Sequence, residues 1–282
     1  GAEYLISWYR EGWVGYVFIS NLIASLITLI MLTPELLKLT LTYDTSMVKE
    51  MFVYSLPVLI ANISFIINEN IDKVFLGQLL PPDIAEQEVG IYAACYKIAV
   101  FLSIFINAFR LGAEPFFFSH AKNKNSSETY ARIMNFFVIA ISLIFVLLAV
   151  NIELLKYFIN GKDAAEQALY WSGLRIVPVL LFGYVSLGIY INLSIWYKLS
   201  DQTRYGLYIS GIGAILTIIL NIIFIPKFSY MASAWISLTA YTLMMILSYI
   251  WGQRSYPIPY KLKKNIIYLL ASICIVFVAF VV

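Results

Sequence analysis

Charge is scarce in this sequence. Only 12% of the 282 residues are Asp, Glu, Lys or Arg, while 61% are hydrophobic; soluble domains carry about a quarter charged and about half apolar residues. A membrane protein is the class that this composition points to. The net charge of +3 is too small, and its basic residues too dispersed, for a nucleic-acid-binding surface, so no nucleic-acid partner is expected. Cysteine is nearly absent: Cys95 and Cys274 each stand alone in apolar sequence, which excludes a disulfide framework and a CxxC metal or redox pair. They read as packing residues. No HExxH, GxSxG or P-loop pattern occurs, and the GIG at 211–213 follows no strand, so it is no dinucleotide loop. Enzyme chemistry, a metal and a cofactor therefore have no footing. His120, the single histidine, closes an apolar run and reads as an interfacial side chain. The opening GAEYL and the apolar close at Val282 read as those of an internal piece of a longer chain.

Long apolar runs are what the sequence has in abundance. About 20 apolar residues cross the hydrocarbon of a bilayer as a helix, and eight windows qualify, at roughly 13–32, 52–80, 90–119, 133–150, 169–197, 205–225, 231–252 and 265–282. Strands would need closure into a barrel of short alternating segments, so the fold class is an all-α integral membrane protein of about eight transmembrane helices. Loops after the first, third, fifth and seventh windows hold eleven Lys or Arg; the other side holds four, Arg10, Lys156, Lys162 and Lys227. The positive-inside rule puts the richer side in the cytoplasm. Tyr and Trp crowd the window edges, as at Trp8, Tyr9 and Trp13, or Trp196 and Tyr197, where amphipathic rings favour the interface. The segment 33–50, containing ELLKLTL, is expected to form a short helix along the membrane and to join one bundle to the next. Organisation into 1–50, 51–252 and 253–282 follows, the middle part forming one six-helix bundle. Gly206, Ser210 and Ala214 repeat at four-residue spacing, which lets a neighbouring helix come close.

Seven ionisable residues interrupt these runs: Glu69, Asp72, Lys73, Lys97, Arg110, Glu114 and Arg175. Each charge at the centre of a span costs about 2.5–3.5 kcal/mol even on the lowest scales, so it needs a partner or a wet cavity. At about 1.5 Å per residue, Lys73, Lys97 and Arg175 fall at a similar depth near the outer side, and are expected to form one layer. Arg110 lies deeper, toward the cytoplasm, on a polar stripe with Ser103, Asn107 and Glu114 at helical spacing. Glu69 with Lys73, and Arg110 with Glu114, have the four-residue spacing of intrahelical pairs. Pro115 and Pro178 follow charged positions and allow a bend. Plainer accounts stand beside these: structural ion pairs at both spacings, Lys97 and Arg175 snorkelling to headgroups, and Asn62, Asn68 and Asn70 bonding between helices.

The order SLPVLIANISFIINENIDKVFLGQLL, then EVGIYAACYKIAVFLSIFINAFRLGAEPFFFSHA, resembles the start of the second bundle in polysaccharide or O-antigen-type flippases of the multidrug/oligosaccharidyl-lipid/polysaccharide exporter superfamily. Pro57, Asp72, Lys73, Leu76 and Gly77, then Gly90, Tyr92, Tyr96 and Lys97, occupy the motif positions. LNIIFIPKFSYMASAWISLTAY, at 220–241, is similar to the family's eleventh-to-twelfth helix hairpin, with Tyr230 and Met231 where smaller residues are usual. The resemblance covers about 51–252. It implies the complete C-terminal six-helix bundle and flanking helices of a 14-helix, two-bundle transporter in the bacterial cytoplasmic (inner) membrane. The implied cargo is an undecaprenyl-pyrophosphate-linked oligosaccharide for surface polysaccharide or lipopolysaccharide, moved by alternating access; lipid and a polysaccharide polymerase are implied partners. Arg110, Lys97, Arg175, Lys73 and Asn107 are then the candidate substrate-binding residues. Glu69, Asp72 and Glu114 are candidates to balance the cations or to take up a coupling H⁺ or Na⁺. A cation-coupled multidrug exporter, a lipid II flippase and a non-transporting membrane scaffold stay open as alternatives.

Overall fold

A computed structural model describes residues 13–39 and 44–281. Trp8, Tyr9, Arg10, the 40–43 part of the expected interfacial helix and Val282 lie outside the described residues. The chain separates into two compact units, 1–50 and 51–282.

In the first unit, α1 (Gly15–Leu36) buries none of its side chains and carries Pro34 in its last turn. Only a turn follows it up to Leu39, with Glu35 and Lys38 paired at 3.0 Å on the exposed end. The described part of ELLKLTL is therefore the end of a spanning helix rather than a separate helix on the membrane. Leu36 and Leu37 continue the apolar run of α1, so nothing stops it earlier. Asp44 begins α2 (Thr45–Leu79): its Oδ1 accepts from the Ser46 and Met47 backbone N–H groups at 2.9 and 3.4 Å and from the Ser46 hydroxyl at 2.8 Å. This is the side-chain capping that free N–H groups at a helix start require.

The second unit is built around one helix. It holds the rest of α2, then α3 (Pro82–His120), α4 (Ser126–Val150), a single turn α5 (Ile152–Leu155), α6 (Ala164–Ser172), α7 (Val177–Leu193), α8 (Ile195–Leu199), α9 (Arg204–Ser255) and α10 (Leu262–Val281). The sequence of α7, VPVLLFGYVSLGIYINL, is apolar on every side, the pattern of a helix enclosed all round, and most of its residues are buried. α3, α4 and α9 pack around it, and α10 packs on α4. A Cβ at Gly183 would sit 3.5 Å from the Leu238 Cα, so α7 and α9 approach to near backbone contact. Gly206, Ser210 and Ala214 indeed face inward; a Cβ at Gly206 would lie 3.1 Å from the Tyr197 ring.

Seven helical stretches among the described residues are long and apolar enough to cross a membrane. The protein is an all-α, multi-pass membrane protein. Two of the eight expected windows fall in α9, whose 52 residues would run about 78 Å if straight, more than twice the hydrocarbon thickness of about 30 Å. The helix is broken at Ser229, where φ is 49° and ψ −140°, close to the first central residue of a type II′ turn. Pro226, three residues earlier, helps to end the first half by removing a backbone donor. The Ser229 hydroxyl donates to the Glu88 carboxylate, which ties the turn to α3.

The fifth window is also divided. Between α6 and α7 the chain makes a tight 3₁₀ turn, Leu174–Ile176, and Pro178 occupies the first turn of α7, where a missing N–H costs nothing. Pro178 therefore starts a helix rather than bending one, and Arg175 sits in the break.

Candidate functional site

α2 turns one narrow stripe inward, and its buried residues are Asn68, Asp72 and Leu76. Asn68 and Asp72 are each only 1% exposed, so both need partners from neighbouring helices. Asn68 Oδ1 accepts from the Thr217 hydroxyl, and its Nδ2 lies 3.3 Å from the Met244 sulfur. This is the interhelical role expected of an asparagine here; Asn70 instead bonds the Ile66 carbonyl of its own helix, and Asn62 opens into a cavity. Asp72 accepts from the Tyr92 hydroxyl through Oδ2 and from the Lys73 backbone N–H, at 2.8 Å, through Oδ1.

One turn back along α2, Glu69 is held by tyrosines. Tyr184 donates to its Oε1 at 3.1 Å and Tyr96 reaches the same oxygen at 3.4 Å, the two hydroxyl oxygens standing 2.5 Å apart. Lys73 does not pair with Glu69: its ammonium lies 3.9 Å from the centre of the Tyr96 ring, a cation–π contact. The four-residue spacing is satisfied in the sequence, but neighbouring tyrosines supply stronger geometry. This first cluster is thus two carboxylates and one ammonium set among Tyr92, Tyr96 and Tyr184.

The second concentration of polar groups lies toward the opposite ends of α2 and α3. A cavity of about 300 Å³ is lined from α2 by Ala61 and Asn62, from α3 by Arg110 and Glu114, from α7 by Tyr190, and from the chain between α7 and α9 by Ser194 and Lys198. Glu114 does not pair with Arg110. Its carboxylate meets the Lys198 ammonium, from α8, and both side chains are about a quarter to a third exposed, at 35% and 26%. Arg110 makes no ion pair with any described residue. Its guanidinium therefore lines a polar cavity with its charge unneutralised, while the nearest acid on its own helix is engaged elsewhere. Such a group accepts an anion through charge-assisted hydrogen bonds.

The remaining candidates are not drawn into these places. Asn107 is exposed and does not line the cavity; Lys97 is exposed and makes no ion pair among the described residues. Arg175 lines a separate, apolar groove. No described cavity or cluster holds two of Lys73, Lys97 and Arg175 together. His120 stacks on Phe116 with ring centres 3.9 Å apart and points Nδ1 at the Phe116 carbonyl at 3.1 Å, a local packing role at the helix end.

Lys198 is the residue that sequence reasoning missed. It falls just past the fifth apolar window and counts there as one more loop cation. The signal that would have found it is the following turn, SDQT, in which Asp201 takes a positive φ of 55° and folds the chain back onto α9.

Residues 5–119 match the model of a family described as polysaccharide biosynthesis protein. The match covers less than half of the chain; it includes Glu69, Asp72, Lys73, Lys97, Asn107, Arg110 and Glu114 but neither Arg175 nor Lys198. No curated protein and no solved structure matches the chain. At a coarse level the match supports a part in polysaccharide biosynthesis, and together with the membrane-helical fold it fits a transporter.

Proposed function

We propose that the protein is a flippase that carries a polyprenyl-pyrophosphate-linked oligosaccharide repeat from the inner to the outer leaflet of a bacterial cytoplasmic membrane. The observation that carries this reading is the free Arg110 guanidinium on the wall of a polar cavity while Lys198 occupies Glu114. A lipid diphosphate loses its hydration on entering hydrocarbon, and a cation with open donors on the cavity wall replaces that hydration through charge-assisted hydrogen bonds; Arg110, exposed on α3, has such donors. Lys73, poised on an aromatic face rather than locked to an acid, is the next cation nearer the outer side. Movement between the two positions by alternating access completes the cycle.

Arg110→Ala is expected to abolish surface glycan while leaving membrane abundance unchanged, and Arg110→Lys to retain part of it, since a point charge replaces a bidentate fork. Normal surface glycan in Arg110→Ala cells would refute the inner anion site. A cation-coupled multidrug exporter is the second reading, favoured by the setting of Glu69 and Asp72 among tyrosines. Loss of lipophilic-cation efflux in Glu69→Gln cells with unaltered glycan would replace the first reading by the second.

A further inference from the structure

The groove that holds Arg175 is chemically unlike the cavity around Arg110. Its volume is about 440 Å³, and apart from the arginine its walls are apolar, among them Phe145, Phe182, Trp235, Val276 and Phe277. These come from α4, α7, the second half of α9 and α10, and by the loop-charge orientation all lie in the halves of their helices toward the outer leaflet. Trp235 and Phe277 are 54% and 67% exposed, so the groove opens sideways onto the hydrocarbon. Arg175 itself is exposed, stands at the 3₁₀ break before Pro178, and makes no ion pair among the described residues. Trp235 also walls a second apolar groove of about 410 Å³ on the hairpin of α9, so its indole is a ridge between two apolar channels of similar size.

An unneutralised cation at the rim of an apolar slot fits an amphiphile with an anionic head. Two channels divided by one ring fit a molecule with two chains. We infer that this face binds an anionic diacyl phospholipid of the outer leaflet, its phosphate on Arg175 and its acyl chains along either side of Trp235. The lipid fills a surface that α4, α7, α9 and α10 leave open, and its headgroup anchors the break between α6 and α7. The site is independent of the cargo at Arg110.

The test is native mass spectrometry of the full-length protein, delipidated and re-equilibrated with phosphatidylglycerol or with phosphatidylethanolamine of the same acyl chains. The wild type is expected to retain phosphatidylglycerol several-fold more than phosphatidylethanolamine. Arg175→Gln should reduce the first to the level of the second, Arg175→Lys should restore most of the preference, and Val276→Trp should lower retention of both by filling the groove. Equal retention of the two lipids by the wild type, or an undiminished preference in Arg175→Gln, would overturn the proposal. A third arm adds undecaprenyl phosphate: if it displaces phosphatidylglycerol from the wild type at equal concentration, the groove belongs to a single polyprenyl chain and the phospholipid assignment fails. Arg175→Gln alone suffices should Val276→Trp not fold, and Arg110→Ala, in which the preference for phosphatidylglycerol should persist, separates this site from the Arg110 reading.

Discussion

Glu114 and Lys198, 84 positions apart in the chain, meet in an ion pair on the wall of the cavity that also receives Arg110. The pair decides which cation remains free. Removing one partner of a fully buried pair costs about 3–5 kcal/mol, and exposed pairs are worth about 0–1 kcal/mol; with a quarter to a third of each side chain accessible, a loss of about 1–2 kcal/mol is expected here. Lys198→Met leaves Glu114 available to Arg110, and surface glycan should fall severalfold. The double variant Lys198→Met with Glu114→Gln should recover most of it. Export in the double variant no better than in the single one would show that Lys198 itself, rather than the liberation of Glu114, matters.

Asp72 and Tyr92 provide a stability test. Tyr92→Phe removes a hydroxyl donor from a carboxylate that is 1% exposed, and an unsatisfied buried polar group costs about 1–3 kcal/mol. Thermal unfolding in detergent should show a clear drop in Tm. Tyr96→Phe should cost less, because Glu69 keeps its bond from Tyr184. The reverse ranking would contradict the arrangement.

The break in α9 makes opposite demands on position 229. Ser229 holds a positive φ of 49° that a side chain disfavours, yet its hydroxyl binds Glu88. Ser229→Ala keeps the strain and loses the bond, whereas Ser229→Gly loses the bond but removes strain worth about 1–2 kcal/mol. The glycine variant should therefore unfold at a higher temperature than the alanine variant, with the wild type near or above the glycine one.

The start of α2 responds to acid. The Ser46 hydroxyl, then the Ser46 and Met47 backbone N–H groups, hold the Asp44 carboxyl below the ordinary aspartate range, which is about 3.9. A depressed carboxylate value stabilises the cap above the unfolded-state value and loses that stabilisation as pH falls through the folded value. Hydrogen exchange at the Ser46 and Met47 amides, corrected for intrinsic rates, should speed up below about pH 4. Asp44→Asn should flatten that dependence; an unchanged profile in the variant would exclude Asp44 as its source.

Length, apolarity and proline placement make the helices legible in the sequence. All eight windows correspond to helical stretches, because hydrocarbon leaves the backbone no other way to pair its polar groups. The break between the sixth and seventh windows was legible, but the positive φ of Ser229 was not, since that conformation is ordinarily announced by glycine and the sequence there reads KFSYM. Partners were the least legible part. Spacing alone matched Glu69 with Lys73 and Glu114 with Arg110, but spacing records only what one helix offers itself. In the folded chain Tyr184 and Tyr96 reach Glu69 from α7 and α3, and Lys198 reaches Glu114 from α8. Which neighbour arrives first is a property of packing, and Lys198 lies just past the end of the fifth window.

A chamber of about 300 Å³ has room for roughly ten water molecules at about 30 Å³ each. That is the scale of a phosphate linker, not of several sugar rings. A pocket of this capacity would grip the part of a glycolipid that is the same whatever sugars it bears, and leave the variable part unread, so that changing the glycan should alter the rate of passage far less than changing the charge of the linker.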